Sequence, residues 1–243
     1  MCTLIVVRSP GRLRVAANRD ERLGRPARPP TRWTPNGRVA VAPVDAQAGG
    51  TWIGVNDRGV FAGITNRFGV PGWPGAPSRG RWVPRMLAAA SAAEAVRPLA
   101  AETVRENGFH LVVADLVDAF ELVHDGEKLE MRPLPEGVTV LTERSRGAAP
   151  APREALIVTL LAELGTDRDA LATVLDHADP EHPLDGVRVH APDLDYGTRS
   201  SALIEIDDGG LRFEHAERYP SVTPYEDYAS ALEVGSNPDA EGR

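Results

Sequence analysis

Met1-Cys2-Thr3-Leu4-Ile5-Val6-Val7, then Pro10-Gly11, then Leu13-Arg14-Val15-Ala16-Ala17-Asn18-Arg19-Asp20-Glu21 is the stretch on which the fold reading turns. Residues 3–7 are β-branched or apolar, Pro10-Gly11 is a turn dipeptide, and residues 13–17 resume an apolar run, so the pattern is strand, turn, strand. With a two-residue loop, position 9 pairs with 12, and counting outward in antiparallel register sets Cys2 opposite Arg19. Directly opposed residues have Cβ atoms about 4.5–5.5 Å apart, so thiol, guanidinium and the Asp20 carboxylate are expected to share one small site. Pro-Gly suits type II turns better than the primed turns of tight hairpins, which leaves the register open by a residue or two.

Cys2 is the only cysteine and follows the initiator methionine. A small second residue normally lets Met1 be removed, leaving Cys2 with a free α-amine whose pKa of about 7.7–8.0 keeps an appreciable neutral fraction near pH 7. One residue would then supply nucleophile and base, with Arg19 favouring the thiolate. The competing reading is a small hydrophobe capping a buried strand, the usual fate of a lone cysteine. The terminal position and the Arg19-Asp20 neighbours give the two readings equal standing.

Composition narrows the classes. A length of 243 residues with 42% hydrophobic content is enough for one layered domain with a real core. A formal charge of −8 argues against a nucleic-acid partner. Lys128 is the only lysine, so 26 of the 27 basic residues are arginine. One cysteine rules out an intrachain disulfide framework and any multi-cysteine metal site, and the six histidines show no paired metal spacing. No apolar run reaches the roughly 18 residues of a membrane span, and the run at residues 3–7 ends at Arg8, unlike a secretory signal. The expectation is a cytoplasmic protein without a membrane span.

Further along, residues 24–37 carry four prolines and read as an extended loop, and residues 38–43 as a short strand. A second hairpin runs 49–55, turns at 56–59 and returns over 60–66 to end on Asn66. Residues 69–80 are too rich in Gly and Pro for regular structure, and a loop this long is often a lid or binding loop. Helices are expected over 82–90 and, from the capping box Ser91-Ala92-Ala93-Glu94, to about 106. Strands follow at 109–115, 119–124, 128–132 and 139–142, then a small-residue linker at 146–153, and helices at 154–164 and 168–177. Residues 179–195 read as loop. A last hairpin spans 198–206 and 211–215, and the domain is expected to end near 228 with a disordered tail over 229–243. Hairpins in blocks separated by helix pairs imply an α+β fold of antiparallel sheets covered by helices, and no GxGxxG, P-loop or HExxH sequence is present.

At Ala17-Asn18-Arg19-Asp20-Glu21 the chain resembles the NRDE-motif family, also called the transport-and-Golgi-organisation family. Met1-Cys2-Thr3, the block at 16–21, Gly49-Gly50-Thr51-Trp52-Ile53-Gly54, Gly63-Ile64-Thr65-Asn66, the block at 108–115 and Tyr196-Gly197-Thr198-Arg199-Ser200-Ser201 look like its blocks in order. The resemblance implies a four-layer αββα Ntn-hydrolase-like sandwich, two antiparallel sheets between helix layers. It implies that Cys2 attacks an amide carbonyl, that Arg19 and Asp20 frame it, and that the side-chain N–H of Asn66 stabilises the oxyanion, worth roughly 3–4 kcal/mol. Arg199 is a further candidate, with Asn18 and Trp73 as candidate substrate contacts. In one departure, Val140-Leu141-Thr142-Glu143 stands where relatives often place a second asparagine, and an ionised Glu143 would oppose an oxyanion.

Each of these residues also has a plain role. Arg19 and Asp20 can form a strand-end ion pair, Asn66 can satisfy turn backbone, and Trp73 can pack the Gly-Pro loop. Two function classes remain: an Ntn-type cysteine hydrolase or acyl transferase acting on a small amide with no cofactor required, or a non-enzymatic carrier. The resemblance links the carrier class to haem as a transported ligand and to lipid or acyl ligands. The sequence does not give the oligomeric state.

Overall fold

The computed structural model of the chain describes residues 2–101, 105–147 and 151–233. The amino-terminal hairpin joins β1 (Cys2–Ser9) to β2 (Arg12–Arg22), with Ser9 opposite Arg12 and Cys2 opposite Arg19. The two-residue loop count is therefore met, with Gly11 taking the left-handed φ of 69° that the turn needs.

The first sheet places β10 (Gly137–Leu141) beside β1, then β2, β12 (Tyr196–Asp207), β13 (Gly210–Ala216) and β14 (Glu226–Asp227), with the two-residue β11 (His190–Ala191) also on β12. The second sheet runs in chain order through β3 (Ala27–Trp33), β4 (Ala40–Asp45), β5 (Ile53–Asn56), β6 (Phe61–Asn66), β7 (Phe109–Ala114), β8 (Ala119–His124) and β9 (Leu129–Pro133). Every pairing between these strands is antiparallel. Helices α1 (Trp82–Leu87) and α2 (Ala92–Val96) cover the second sheet, and α3 (Pro152–Leu164) and α4 (Arg168–Leu175) the first.

Side-chain alternation along the strands builds these layers. Leu4, Val6, Val15 and Ala17 point between the sheets with Ile53, Phe61 and Val112, whereas Ile5, Ala16 and Leu203 point outward to Ile157, Leu171 and Val174 of α3 and α4. Strands buried on both faces explain why residues 3–7 read as a continuous apolar run. The result is the expected αββα sandwich.

Three local expectations are corrected. The proline-rich stretch is not a loop: it forms β3, an edge strand whose pairing slips between Arg28 and Thr31 around Pro29-Pro30, the position where a sheet tolerates prolines. The helix begun at Ser91, whose Oγ accepts from Glu94 N, lasts only to Val96 before a 3-10 segment over Arg97–Ala101 that contains Pro98. Arg153, read as linker, sits in the first turn of α3 behind Pro152, a favoured helix start. Residues 229–232 form a 3-10 turn, and 234–243 lie outside the described residues. Among the described residues no helix is long and apolar enough to cross a membrane.

Candidate active site

Cys2 and Arg19 lie side by side on the inner face of the first sheet, and Asn66, exposed, ends β6 of the second on the same face as Ile64, so the three meet at the strand ends. There they line a cavity of about 340 Å³, with Trp52, Thr51, Ile64, Asn107, Glu21, Arg25, Asp45 and the loop from Ala76 to Gly80 completing the wall. A larger cavity, about 680 Å³, lies between β9, β10 and α3. Its wall is mainly apolar (Leu134, Val138, Val140, Val158, Leu161) and holds neither the cysteine nor a motif residue, so the smaller cavity is the candidate site.

Arg19 is 5% exposed, stacks its guanidinium 4.3 Å over the Trp52 ring and lies 3.8 Å from the Asp45 carboxylate. Asp45 is itself gripped by Arg25 at 2.7 Å. Burial would raise the Asp45 pKa, but hydrogen bonds from Arg25 and from the Ala48 and Gln47 N–H groups outweigh it and hold the carboxyl below its ordinary range. Arg25, Asp45 and Trp52 thus form a rigid bed for Arg19. The Cys2 thiol, partly buried, is pushed up by desolvation and by the nearby Asp20 charge, against the pull of the Asp20 backbone N–H and of Arg19. A protonated resting thiol needs a base at the moment of attack.

The same alternation that pairs Cys2 with Arg19 sends Asn18 and Asp20 toward the helix side of the sheet. Asp20 belongs to the same cavity wall as Cys2 and Arg19, and its charge acts on the thiol; its Oδ1 accepts from Thr198 Oγ1 at 2.7 Å and its Oδ2 from Arg153 Nη1 at 3.0 Å. Burial raises its pKa, with Arg153 opposing. Tyr196 donates its hydroxyl to the Asp20 carbonyl at 2.8 Å. These contacts fix the strand end from which Arg19 and the Asp20 N–H face Cys2.

The three candidate substrate contacts stand outside the cavity wall. Asn18 is 1% exposed and internally satisfied: Nδ2 donates to the carbonyls of Leu175 (2.8 Å) and Val187 (2.9 Å), and Oδ1 accepts from Ser201. Trp73 fastens the Gly-Pro loop, donating Nε1 to the Gly126 carbonyl at 3.0 Å while its own N–H reaches Asn107 Oδ1 at 2.8 Å. Arg199 occupies the irregularity in β12 between Thr198 and Ser200, with its Nε buried and unpartnered among the described residues. Glu143 lies 3.8 Å from Arg153 and 3.7 Å from Arg144, in the ion cluster behind Asp20 and outside the lining of the cavity.

Sequence reasoning missed Arg153, Thr198, Arg25, Asp45 and Arg79. Arg79 was within reach, because it belongs to the loop singled out at 69–80. Its position has a steric cause: the loop lies so close to residues 50–51 that a Cβ on Gly50 would sit 2.7 Å from the Gly80 carbonyl carbon, and one on Gly80 2.9 Å from the Thr51 oxygen. The Thr51 N–H closes the contact on the Gly80 carbonyl at 3.1 Å.

Comparison with known proteins agrees with this architecture. The family profile described as Transport and Golgi organisation 2 matches residues 1–221. A Transport and Golgi organization protein 2 homolog from Bos taurus is 30% identical over 240 residues, covering 83% of this chain and 85% of its own. Among solved structures, the Caenorhabditis elegans ortholog of N-acylethanolamine-hydrolyzing acid amidase superposes with a TM-score of 0.62 at 16% identity, over 84% of this chain and 92% of that one. A variant of the conjugated bile acid hydrolase from Clostridium perfringens gives 0.61 at 12% identity, over 96% and 94%. Penicillin V acylase from Agrobacterium tumefaciens gives 0.51 at 15%, over 89% and 83%. These likenesses establish an Ntn-hydrolase-type fold.

Proposed function

Because the chain belongs to the Transport and Golgi organisation 2 family and carries it on an Ntn-hydrolase-type fold, we propose that it is an amide hydrolase or acyl transferase with Cys2 as amino-terminal nucleophile. The observation that carries this reading is the convergence of Cys2, Arg19 and Asn66 on one cavity, at the strand end where such a nucleophile would be exposed by loss of Met1.

The chemistry follows from the groups present. The freed α-amine takes the thiol proton as sulfur attacks the carbonyl carbon, and the Asn66 side chain, on the cavity wall, donates to the oxyanion. Collapse breaks the C–N bond, and the ammonium returns its proton to the leaving amine. Water, or a second amine in the transferase case, then attacks the thioester with the same amine as base and restores the thiol. Arg19 shares the developing negative charge on sulfur. No metal is required for these steps.

A carrier of haem or of a lipid or acyl ligand is the alternative; the cavity that holds Cys2 has Arg19, Arg25 and Arg79 and no histidine on its wall, which suits a polar substrate better than either ligand. The test is single-turnover acylation: an activated acyl ester should add one acyl group to the processed protein and none to Cys2→Ala. An unlabelled, correctly folded wild-type protein would refute the enzyme reading.

A further inference from the structure

Two cations at this cavity lack anionic partners that match them. The guanidinium of Arg19, 5% exposed, makes no hydrogen bond among the described residues; its Nη1 is fully buried, and Asp45 at 3.8 Å is beyond hydrogen-bond range. Arg79, held over the cavity by the Gly50–Gly80 contact, donates Nη1 to the Gly108 carbonyl at 3.0 Å and has no ion pair among the described residues. Both line the cavity together with Cys2; desolvation lowers the pKa of both, opposed by the charge of a Cys2 thiolate. Arg25, by contrast, is committed to Asp45 and Glu21, and the Asp20 carboxylate to Thr198 and Arg153. A buried guanidinium edge without an acceptor is costly, and a carboxylate matches it in charge and in its two-oxygen geometry.

We propose that the substrate of Cys2 carries a carboxylate within a few bonds of its scissile amide, bound by Arg79 and the unpartnered edge of Arg19. This rests on the reading of Cys2 as an amide-cleaving nucleophile. A volume of about 340 Å³, near the small end of the roughly 300–1,000 Å³ of ligand pockets, points to a compact molecule such as an N-acyl amino acid with a short acyl group. Trp52, Ile64, Ala76 and Pro77 supply the apolar wall for that acyl group.

The test uses the single cysteine. Iodoacetate and iodoacetamide differ only in carboxylate against carboxamide, and intact mass follows alkylation of Cys2 by each. In the native protein iodoacetate should react faster than iodoacetamide, with the advantage fading as salt shortens the screening length from about 10 Å at 0.1 M to about 3 Å at 1 M. Arg79→Gln should cut the rate ratio about tenfold, equivalent to about 1.4 kcal/mol, and Arg79→Lys should keep most of it. The salt series on wild type gives the same answer if Arg79→Gln does not fold. A ratio at or below one in wild type, a ratio that Arg79→Gln leaves unchanged, or labelling by both reagents only after unfolding would each overturn the proposal. A carboxylate preference together with failed acylation by the activated ester would retain the anion site and reject the nucleophile, so the two failures are distinguishable.

Discussion

Replacing Arg153 by methionine should destabilise the protein more than any surface change, because it leaves a carboxylate stranded under the site. Arg153 and Asp20 are 4% and 2% exposed, and the Nη1 to Oδ2 distance is 3.0 Å. At that separation and an effective dielectric of about 20 the attraction is about 5 kcal/mol, an upper bound on the net value. Breaking a buried pair by removing one member costs about 3–5 kcal/mol, a large part of a typical stability of roughly 5–15 kcal/mol. Asp20→Asn alone should also be costly, since it leaves the cation; the double variant should lose less than the two singles together, with a coupling above about 1 kcal/mol. The pH dependence has a defined sign. The Asp20 pKa is raised in the folded state by burial, and removing Arg153 raises it further. The native state then binds more protons than the unfolded one above the ordinary carboxylate range, and the variant's deficit should shrink as pH falls from 8 toward 5. Urea denaturation followed by tryptophan fluorescence at both pH values reads all four proteins. Additivity of the two singles within about 0.5 kcal/mol would refute the pairing and its role in holding the strand end beneath Cys2.

Asn18→Leu should cost about 2–4 kcal/mol, since it abandons the buried Leu175 and Val187 carbonyls and the Ser201 hydroxyl, yet leave the rate of Cys2 alkylation by iodoacetamide unchanged; an altered rate with unaltered stability would put Asn18 in the site after all. Gly50→Ala brings a Cβ to 2.7 Å from the Gly80 carbonyl carbon, so it should cost about 1–3 kcal/mol and, by displacing the loop, change the Cys2 alkylation rate. Unchanged melting temperature and alkylation would contradict the close contact. His215, buried without a hydrogen-bond partner among the described residues, has its pKa pulled down by desolvation to about 4 from 6.5. The unfolded state binds the proton first, so this contribution is complete above pH 6.5 and is lost as pH falls to 4, amounting to about 3 kcal/mol. His215→Leu should flatten the stability profile over that range, and an unchanged slope would place the acid sensitivity elsewhere.

Much of the frame was legible because it is local. The two-residue turn at Pro10-Gly11 fixes the register of β1 on β2, so Cys2 opposite Arg19 could be counted out before any coordinates. If Arg19 shares a face with Cys2, its neighbours Asn18 and Asp20 must turn to the other face, and Asn18 does so completely. Pro29-Pro30 misled because a sequence does not say which strand is an edge, the one place where they fit. Arg153 was invisible for a different reason: its partner Asp20 is 133 residues away, and nothing in the small-residue stretch before α3 marks the first turn of that helix as the floor of a site. Arg79 lies inside the Gly-Pro loop, whose length and composition suit a lid or binding loop, but its position depends on the mutual approach of Gly50 and Gly80, a contact between distant segments.

The most direct measurement is the intact mass of the purified protein before and after an activated acyl ester, with Cys2→Ala alongside. The expected result is a chain lacking Met1 that gains one acyl group, with no gain in Cys2→Ala. A mature chain that retains Met1, or a processed chain that takes up no acyl group while remaining folded, would contradict an amino-terminal cysteine nucleophile at this site.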